Sequence, residues 1–479
     1  MKNNGFQMPA PASNGNRLHT SVQVAIIGGG FSGTVLAAQL LRADSSINLA
    51  IIDKASFPCR GIAYSTSYGC HLLNIPACNM SALAGEPDHF LQWARAFYDP
   101  AAENRSFLPR AVFGKYLESL LKESAARIGG NGFQFLQDET ISLSHDKDCF
   151  TLRLKSGHEV RADVVVLALG NLPPRDPEFP GLAKDAKRFI SFAWSPSAFQ
   201  DLPDDGTVLL LGTGLTSVDM AAALNARKFR GTIHMLSRRG LIPQRHEAAC
   251  QWAQFWNEDS PATARGLLRL IRDQVRAAAA AGMDWRGVID ALRPATQDIW
   301  RSLPPAERRR FLRHARPYWE VHRHRIAPEI DDLISALRSE GRLHIHAGRI
   351  TGYLENDRSA EIKFRCRKTG VLRRLLVDRV INCTGSEFDC RRTEDPLLSN
   401  LFASGMATPG PLSLGLDVDS NGALLDARGL PSSSFYAIGP MRKGVAWETT
   451  AVPEIRRQAF ELASHLVRKF TSPLQLKLS

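Results

Sequence analysis

The sequence lacks several patterns that would define its chemistry at once. Its eight cysteines include no C-x-x-C pair, which argues against a disulfide reductase and against a metal site of common spacing. It contains no G-x-S-x-G turn and no H-E-x-x-H helix, so hydrolase chemistry has no support. Its longest apolar runs, such as residues 164–169, are far shorter than a membrane span. The chemistry of this globular chain must therefore come from other motifs.

Composition narrows the setting and the partners. Dispersed cysteines are typical of proteins in a reducing compartment, so we expect a cytoplasmic protein. Because the apolar runs are short, we expect no membrane partner. The net charge of +12 is spread along the chain with no recognised nucleic-acid motif, so nucleic acid is not predicted as a partner. Residues 1–20 are polar, and we interpret them as a disordered leader.

The strongest motif follows a predicted buried strand at residues 22–27. The pattern G-x-G-x-x-G fills residues 28–33 and leads into an apolar helix, as in a Rossmann-type dinucleotide site. The next predicted strand, residues 48–52, ends at an acid about where the motif needs a ribose acceptor. The alternative is a glycine-rich turn without a ligand. The residues that we expect to bind this first cofactor are Gly28, Gly30, Phe31, Ser32, Gly33, Asp53 and Lys54.

A second copy of the motif follows a predicted strand at residues 207–211. A small residue, Ser217, replaces its third glycine, and the next strand, residues 232–236, is followed by arginines where an NAD site shows an acid. Guanidinium groups can bind a 2′-phosphate that an acid would repel, so the second site favours NADPH, unless the arginines form a solvated turn. The candidate residues are Gly212, Gly214, Leu215, Thr216, Ser217, Arg238 and Arg239.

Two later segments repeat one pattern at the scale of a domain. Residues 163–170 and 378–385 each read as an Asp, an apolar strand and a small-residue turn that ends in glycine, Gly170 or Gly385. Each follows a short alternating stretch, at residues 149–154 or 361–366. We interpret each segment as the last strand of a dinucleotide domain, reached after a β-meander.

These motifs predict an α/β protein with two Rossmann-type domains, arranged as in glutathione reductase. The first domain comprises residues 21–171 and 386–479, and the second, residues 172–385, is inserted into it. The last strand of the first domain is predicted at residues 434–438. A mostly helical insertion, rich in Trp and Arg, is predicted at about residues 246–340 of the second domain. That insertion could shape a substrate pocket or a homo-oligomer interface, or its arginines could form a solvated face.

The chain resembles the bacterial FAD/NAD(P)-binding flavoproteins related to lysine and ornithine N-hydroxylases. The paired glycine motifs and closing strands carry the broad resemblance. The narrower resemblance rests on R-G-I-A-Y at residues 60–64, H-L-L-N-I-P at 71–76, D-H-F-L-Q-W at 88–93 and the segment 439–456. It implies FAD in the first site and NADPH in the second. It also implies that a last helix, from about Thr450, points its N-terminus at the flavin, with Gly439, Pro440, Trp447, Glu448 and Thr449 beside the cofactor.

Three departures from flavin monooxygenases leave the reaction open. The pattern F-x-G-x-x-x-H begins at Phe179, but Asp185 stands in place of its His. The turn Cys383-Thr-Gly-Ser386 replaces A-T-G-Y, and Gly439-Pro440 replaces G-D. The leading hypothesis is a monooxygenase that uses NADPH and O2 to hydroxylate an amine or other heteroatom of a small, possibly anionic, substrate. The alternatives are a flavin-dependent dehydrogenase or reductase and a dinucleotide-binding protein without turnover. No catalytic residue is assigned.

The histidines give no metal site. His322 and His324, and likewise His344 and His346, are two residues apart, which would align each pair on one face of a strand. No cysteine or carboxylate at a ligand spacing completes either set, so no metal is predicted.

Overall fold

The computed structural model describes residues 19–44, 46–55, 59–127, 132–146 and 149–475. The predicted leader therefore lies outside the described residues, except for its last two positions, which begin the first strand. The strands are β1 (His19–Ile27), β2 (Leu49–Asp53), β3 (Phe133–Gln137), β4 (Thr140–Asp146), β5 (Cys149–Leu154), β6 (Glu159–Leu167), β7 (Phe189–Ile190), β8 (Thr207–Leu211), β9 (Thr232–Ser237), β10 (Leu343–Glu355), β11 (Ala360–Cys366), β12 (Leu372–Val377), β13 (Arg379–Asn382), β14 (Ala423–Leu425) and β15 (Pro431–Ala437).

Helices alternate with these strands. The α-helices are α1 (Phe31–Ala43), α2 (Gly61–Tyr64), α3 (His89–Phe97), α4 (Arg110–Ala125), α5 (Leu215–Ala226), α6 (Ala264–Ala280), α7 (Trp285–Ala291), α8 (Thr296–Ser302), α9 (Pro305–Arg310), α10 (Arg316–Arg323), α11 (Pro328–Ser339), α12 (Pro396–Ala403) and α13 (Val452–Gln475). A π-helical turn lies at Phe311–Ala315, and 3₁₀ turns lie at Ala77–Asn79, Pro196–Phe199, Cys390–Arg392, Pro411–Ser413 and Gly439–Arg442. No helix among the described residues is long and apolar enough to cross a membrane.

The strands form two sheets, each with a parallel core. The first has the order β14-β15-β6-β1-β2-β3, and β4 and β5 join it as a meander that ends in β6. The second has the order β12-β11-β10-β9-β8-β13-β7, with β10, β11 and β12 as its meander. In both sheets the strand that precedes the glycine turn lies at the centre, between the closing strand and the strand after the first helix. The predicted fold class, closing strands and meanders are confirmed.

Strand β1 shows why the first sheet is buried on both faces. Val24 and Ile26 point into one apolar cluster, with residues of α1, α4 and α13, while Ala25 and Ile27 point into another. Successive side chains of a strand face opposite ways, so a strand covered on both faces must be apolar throughout. This burial fixes the carboxyl end of β1, where the first glycine turn begins.

A group of helices, α6 to α11, connects β9 to β10 along the chain. It packs against the segment that joins β15 to α13. The indole rings of Trp300 and Trp447 stack with their centroids 4.8 Å apart, and Trp300 Nε1–H donates to the Gly444 carbonyl at 2.9 Å. Arg293 forms two hydrogen bonds with Glu454 in the first turn of α13. The helices of the second half of the chain therefore contact the C-terminal part of the first sheet's domain.

Candidate active site

The first glycine turn is built by close backbone contacts. Gly28 has a φ of +106°, and a Cβ there would lie 2.3 Å from the Ala168 carbonyl oxygen. A Cβ on Gly33 would lie 1.9 Å from the Gly28 carbonyl oxygen, so α1 packs as closely on β1 as only glycine allows. Gly30 begins α1 with no side-chain cap on the first-turn amides. The uncapped N–H groups suit a pyrophosphate.

The residues after β2 divide between this turn and the surface. The Asp53 carboxylate accepts hydrogen bonds from the amides of Gly29 and Ala55, so it lies beside the turn. Lys54 instead forms an exposed ion pair with Glu139 at 2.9 Å, and that hydrogen bond raises the pKa of Lys54. The acid is therefore placed for a ribose contact, whereas the lysine points elsewhere.

Other parts of the chain cover the start of α1. Gly61 packs on Gly30, whose Cβ would lie 3.5 Å from the Gly61 Cα. The Phe31 ring contacts the ring of Tyr64, with centroids 6.1 Å apart. A Cβ on Gly439 would lie 2.4 Å from Ser32 Oγ, so the turn after β15 meets the first glycine turn directly. The structure thus brings together sequence-distant residues of the predicted FAD site.

The second glycine turn has the same geometry with more open space. Gly212 has a φ of +126°, and its Cβ would lie 2.5 Å from the Cys383 carbonyl oxygen. Gly214 begins α5 with no side-chain cap, and a Cβ there would meet nothing within 4 Å. Ser217 is buried on the inner side of α5, where its small side chain lets the helix approach β8. This turn is therefore accessible to a ligand backbone.

The end of β9 carries serine where β2 carries Asp53. Ser237 Oγ lies 2.9 Å from Thr213 Oγ1, which ties this strand end to the second glycine turn. Among the described residues, no carboxylate lies within 4.0 Å of the Arg238, Arg239 or Arg349 side chains. Arg239 contacts the Arg313 carbonyl and lies over the Tyr318 ring, but none of the three guanidinium groups is paired with a carboxylate, so they form a place for a phosphate beside the turn.

A cavity of about 1320 Å³ joins the second glycine turn to the start of α13. Of the predicted cofactor residues, seven line it: Gly212, Gly214, Leu215, Thr216, Arg238, Arg239 and Gly385. Thr450, Ala451 and Val452 line its far end, at the N-terminus of α13. The remaining predicted residues lie outside its lining: Gly28, Gly30, Phe31, Ser32, Gly33, Asp53, Lys54, Gly170, Ser217, Gly439, Pro440, Trp447, Glu448 and Thr449.

The segment 447–449 anchors the helices instead of lining the cavity. Trp447 is buried against Trp300, and Glu448 is 4% exposed. The Glu448 carboxylate accepts from Trp319 Nε1–H at 3.0 Å and lies 2.8 Å from Arg323 Nη2. Thr449 Oγ1–H donates to the Gly439 carbonyl at 2.7 Å. Glu448 thus contacts α10, and Thr449 fixes the turn after β15.

Two histidines in the cavity are held neutral. Burial, and then the positive charge of nearby Arg325, lower the pKa of His246 to about 4. Burial and then Arg323 lower the pKa of His324 to about 3. At neutral pH both imidazoles can donate or accept a hydrogen bond but carry no positive charge.

The two histidine pairs form no metal site among the described residues, and the arginines of helix α6 lie outside the cavity. The prediction that His322 and His324 share a strand face is wrong, because His322 lies in helix α10 and His324 follows it. His344 and His346 do lie on β10, but the described residues contain no group of three metal-ligating side chains. The evenly spaced arginines of α6 are exposed, and none lines the cavity: Arg265, Arg269, Arg272 and Arg276.

Sequence reasoning missed most of the basic residues of the cavity, among them Arg349 and Lys443. Arg349 lies on β10, the strand beside β9, so its place near Arg238 depends on sheet order. Lys443 belongs to the segment 439–456 that carries the resemblance, but no spacing marks it as facing a cavity. A signal for Arg349 existed in principle, because neighbouring parallel strands bring their ends to one edge of a sheet.

The geometry fits two dinucleotides. At the first turn the requirement for glycine at 28 and 33, the uncapped amides of α1 and the Asp53 carboxylate match a pyrophosphate and a ribose. At the second turn the open Gly214 and the unpaired arginines match a dinucleotide that carries an extra phosphate.

Residues 25–172 match the FAD-NAD(P)-binding family. This FAD-NAD(P)-binding segment runs from β1 to the turn after β6 and contains the first glycine turn and Asp53. No curated protein matches the chain.

Solved structures share the fold of nearly the whole chain. The ornithine N-hydroxylase of Kutzneria sp. 744, with reduced FAD, NADP+ and L-ornithine, is 12% identical and superposes with a TM-score of 0.64 over 94% of this chain and 100% of its own. The L-lysine 6-monooxygenase of Pseudomonas syringae is 16% identical, with a TM-score of 0.65 over 93% and 99%. The bacillithiol disulfide reductase of Staphylococcus aureus is 13% identical, with a TM-score of 0.56 over 94% and 99%. The predicted relation to N-hydroxylating flavoproteins is confirmed at the level of fold.

Proposed function

We propose that the chain is an FAD-containing, NADPH-dependent oxidoreductase of the monooxygenase type. Its substrate is a small molecule with an amine or other heteroatom that is hydroxylated. The observation that carries this proposal is the single cavity between the second glycine turn and the N-terminus of α13. In such a cavity a nicotinamide, a flavin ring and a substrate can meet.

The second turn supports NADPH over NADH. Ser237 takes the place of the acid that would accept from a ribose 2′-hydroxyl, and Arg238, Arg239 and Arg349 lie beside it without carboxylate partners among the described residues. An acid there would repel a 2′-phosphate, whereas guanidinium groups bind it with charge-assisted hydrogen bonds.

The first turn and the start of α13 support FAD. Asp53 and the first-turn amides of α1 would hold the ribose and the pyrophosphate, while Thr450 and Ala451 would face the flavin at the cavity end. The positive end of the α13 dipole favours negative charge on a reduced flavin ring. When bound, FAD accepts hydride from NADPH and, once reduced, can react with O2.

An apolar cluster supports oxygen chemistry over simple electron transfer. Trp300, Leu414 and Trp447 are buried together, with Phe311 and Phe388 packed against them. Phe388 also lines the cavity, so the cluster forms part of its wall. A wall of this kind keeps water from the reacting groups and so protects a reactive oxygen species from unproductive breakdown.

The alternative is a flavin-dependent reductase. Among the described residues, the cysteine that lines the cavity is Cys383, and burial raises the pKa of its thiol to about 12. A thiol held protonated is a poor nucleophile, so a protein thiol has little role in this cavity. A reductase that uses no protein thiol, and a binding protein without turnover, remain the competing functions.

The test of oxygenation is product analysis. The purified holoprotein would be reduced anaerobically with NADPH and then mixed with O2 and a panel of amino acids: L-ornithine, L-lysine, L-aspartate and L-glutamate. We expect a hydroxylated product from one member of the panel or a close relative, with less hydrogen peroxide than in its absence. Release of hydrogen peroxide equal to the NADPH consumed, whichever amine is present, would favour the reductase function instead.

A further inference from the structure

Lys443 is a buried cation at the wall of the cavity. It follows the 3₁₀ turn Gly439–Arg442, is 7% exposed and lines the cavity. Its ammonium nitrogen lies 3.9 Å from the centre of the Phe388 ring and 4.9 Å from that of Trp447. The two aromatic faces orient the lysine and partly offset the loss of water around its charge.

Five arginines that line the same cavity differ from Lys443, because each forms an ion pair with a carboxylate. The pairs are Arg110–Asp219, Arg293–Glu454, Arg316–Glu320, Arg323–Glu448 and Arg325–Asp290. In the part of the chain that the structure describes, no carboxylate lies within 4.0 Å of the Lys443 ammonium, and no hydrogen-bond acceptor contacts it. Apart from Arg238, Arg239 and Arg349 at the second turn, Lys443 is therefore the one described lysine or arginine of the cavity lining with no carboxylate within 4.0 Å.

The charged groups around Lys443 are already committed. Arg316 and Glu320 of α10 face it and pair with each other, and Glu448 of its own segment pairs with Arg323. Burial, and then the positive charge of Arg316, lower the pKa of Lys443 to about 8. A buried ammonium is costly unless a counter-charge reaches it, and here the open side is the cavity.

We propose that Lys443 binds a carboxylate of the substrate. A carboxylate carries the negative charge that would neutralise the Lys443 ammonium from the cavity side, while the three arginines at the second turn can bind the cofactor phosphate. The carboxylate and the phosphate would then bind at different places in one cavity. The inference rests on the proposed function, and it assigns the anion preference of the substrate site to one residue.

The first experiment measures binding without turnover. FAD-loaded protein would be titrated calorimetrically at pH 7 with succinate and glutarate, each matched by its neutral diamide: succinamide and glutaramide. We expect at least one carboxylate to bind wild-type protein about tenfold or more tightly than its amide. Lys443→Met should abolish this preference, while Lys115→Met, which removes an exposed lysine of α4, should keep it.

A second measurement holds even if Lys443→Met fails to fold. In wild-type protein, an amine-selective acylating reagent followed by peptide mass spectrometry reports the reactivity of Lys443 directly. We expect the same carboxylate, and not its amide, to protect Lys443, and its binding to weaken as the pH rises above about 8, because the lysine loses its proton.

Three outcomes would overturn the inference: equal binding of carboxylates by wild-type and Lys443→Met protein, no binding by wild-type protein across the panel, or no protection of Lys443. A changed reduction potential of FAD in Lys443→Met with unchanged carboxylate binding would assign the charge to the flavin and also overturn it. NADPH reduction of FAD in wild-type protein is recorded in parallel, so a failed inference is distinguishable from a failed proposed function.

Discussion

Asp53 and Ser237 occupy matching places in the two sheets. Ile27 pairs with Ile52 in the first sheet as Leu211 pairs with Leu236 in the second, and the next residue is Asp53 in one and Ser237 in the other. Both side chains reach back to the glycine turn of their own sheet, through Gly29 or Thr213. Since the scaffolds match, we propose that the different side chains favour different cofactors at the two turns.

The arginines after β9 should set the choice of nicotinamide cofactor. Replacement of Arg238 and Arg239 by Ala should weaken NADPH binding by about 10- to 100-fold, because charge-assisted hydrogen bonds to the phosphate are lost, and should change NADH binding much less. Dissociation constants from titration of the holoprotein would measure this. Arg358→Ala, at an exposed site, is the control, and equal losses for the two cofactors would refute the assignment.

The glycine at position 33 should be essential for the first site. Gly33→Ala places a methyl group against the Gly28 carbonyl and should lower the free energy of unfolding by about 1–3 kcal/mol and reduce bound FAD. Urea unfolding and the flavin content of purified protein measure both effects. Gly85→Ala, whose Cβ meets nothing within 4 Å, should do neither. Normal FAD content in Gly33→Ala would contradict the close packing described here.

Residues near each other in the chain were predictable, and residues joined by the fold were not. The roles of Gly28 and Gly212 follow from local sequence, because a strand, a turn and a helix are adjacent in the chain. Lys443 meets Phe388 across 55 residues, and Arg349 comes beside the end of β9 through sheet order. Such pairs carry no periodic signal, since their spacing depends on the path of the chain.

At the scale of elements, the connection between β15 and α13 links several parts of the molecule. Gln458 Nε2–H donates to Thr449 Oγ1 at 2.8 Å, and its Oε1 accepts from the Gly439 amide at 3.0 Å. These bonds join the first turns of α13 to the turn beside Ser32. The connection therefore holds the start of α13 at the cavity and holds Gly439 at the first glycine turn.

The buried pair between Arg323 and Glu448 should fix α10 to this connection. Glu448→Gln keeps an acceptor for Trp319 but leaves Arg323 without its counter-charge, so the free energy of unfolding should fall by about 3–5 kcal/mol. Denaturant unfolding measures the loss. Arg323→Met combined with Glu448→Gln should be more stable than Glu448→Gln alone.

The control for this prediction is a surface pair in the same group of helices. Asp298→Asn breaks the exposed contact with Arg301 and should cost about 1 kcal/mol or less. If Glu448→Gln costs no more than Asp298→Asn, the buried pair does not anchor α10.

Element positions were predicted best where the pattern was parallel strand, turn and helix. Strand β8 has its predicted bounds, Thr207–Leu211, and β5 has Cys149–Leu154. The last helix begins at Val452, two residues after the predicted Thr450, because Thr449 is engaged with Gly439. The histidine spacing at 322 and 324 predicted a strand where the structure has the end of helix α10, because two histidines two residues apart occur in helices as well as in strands.

At the scale of the whole molecule, the half-buried neutral histidines of the cavity should make the stability of the fold depend on pH. His246 and His324 have pKa values of about 4 and about 3, below the ordinary value of 6.5. As the pH falls below about 6.5 the unfolded chain takes up protons that the folded chain does not, so the free energy of unfolding should decrease down to about pH 4.

Denaturant unfolding from pH 7 to 4.5 measures this dependence. The double variant His246→Gln with His324→Gln should show a shallower fall than wild-type protein, whereas His145→Gln, at an exposed site, should follow wild type. A double variant with the wild-type slope would mean that other groups control acid stability.

The measurement that tests the central claim most directly is anaerobic reduction of the bound flavin. Purified protein should carry FAD, and NADPH should bleach its flavin absorbance faster and at lower concentration than NADH, because we propose that the nicotinamide and the flavin ring meet in one cavity and that the second turn favours a 2′-phosphate. Rapid-mixing absorbance spectroscopy gives both rates. Protein that binds no FAD, or bound FAD that NADPH leaves oxidised, would contradict the account.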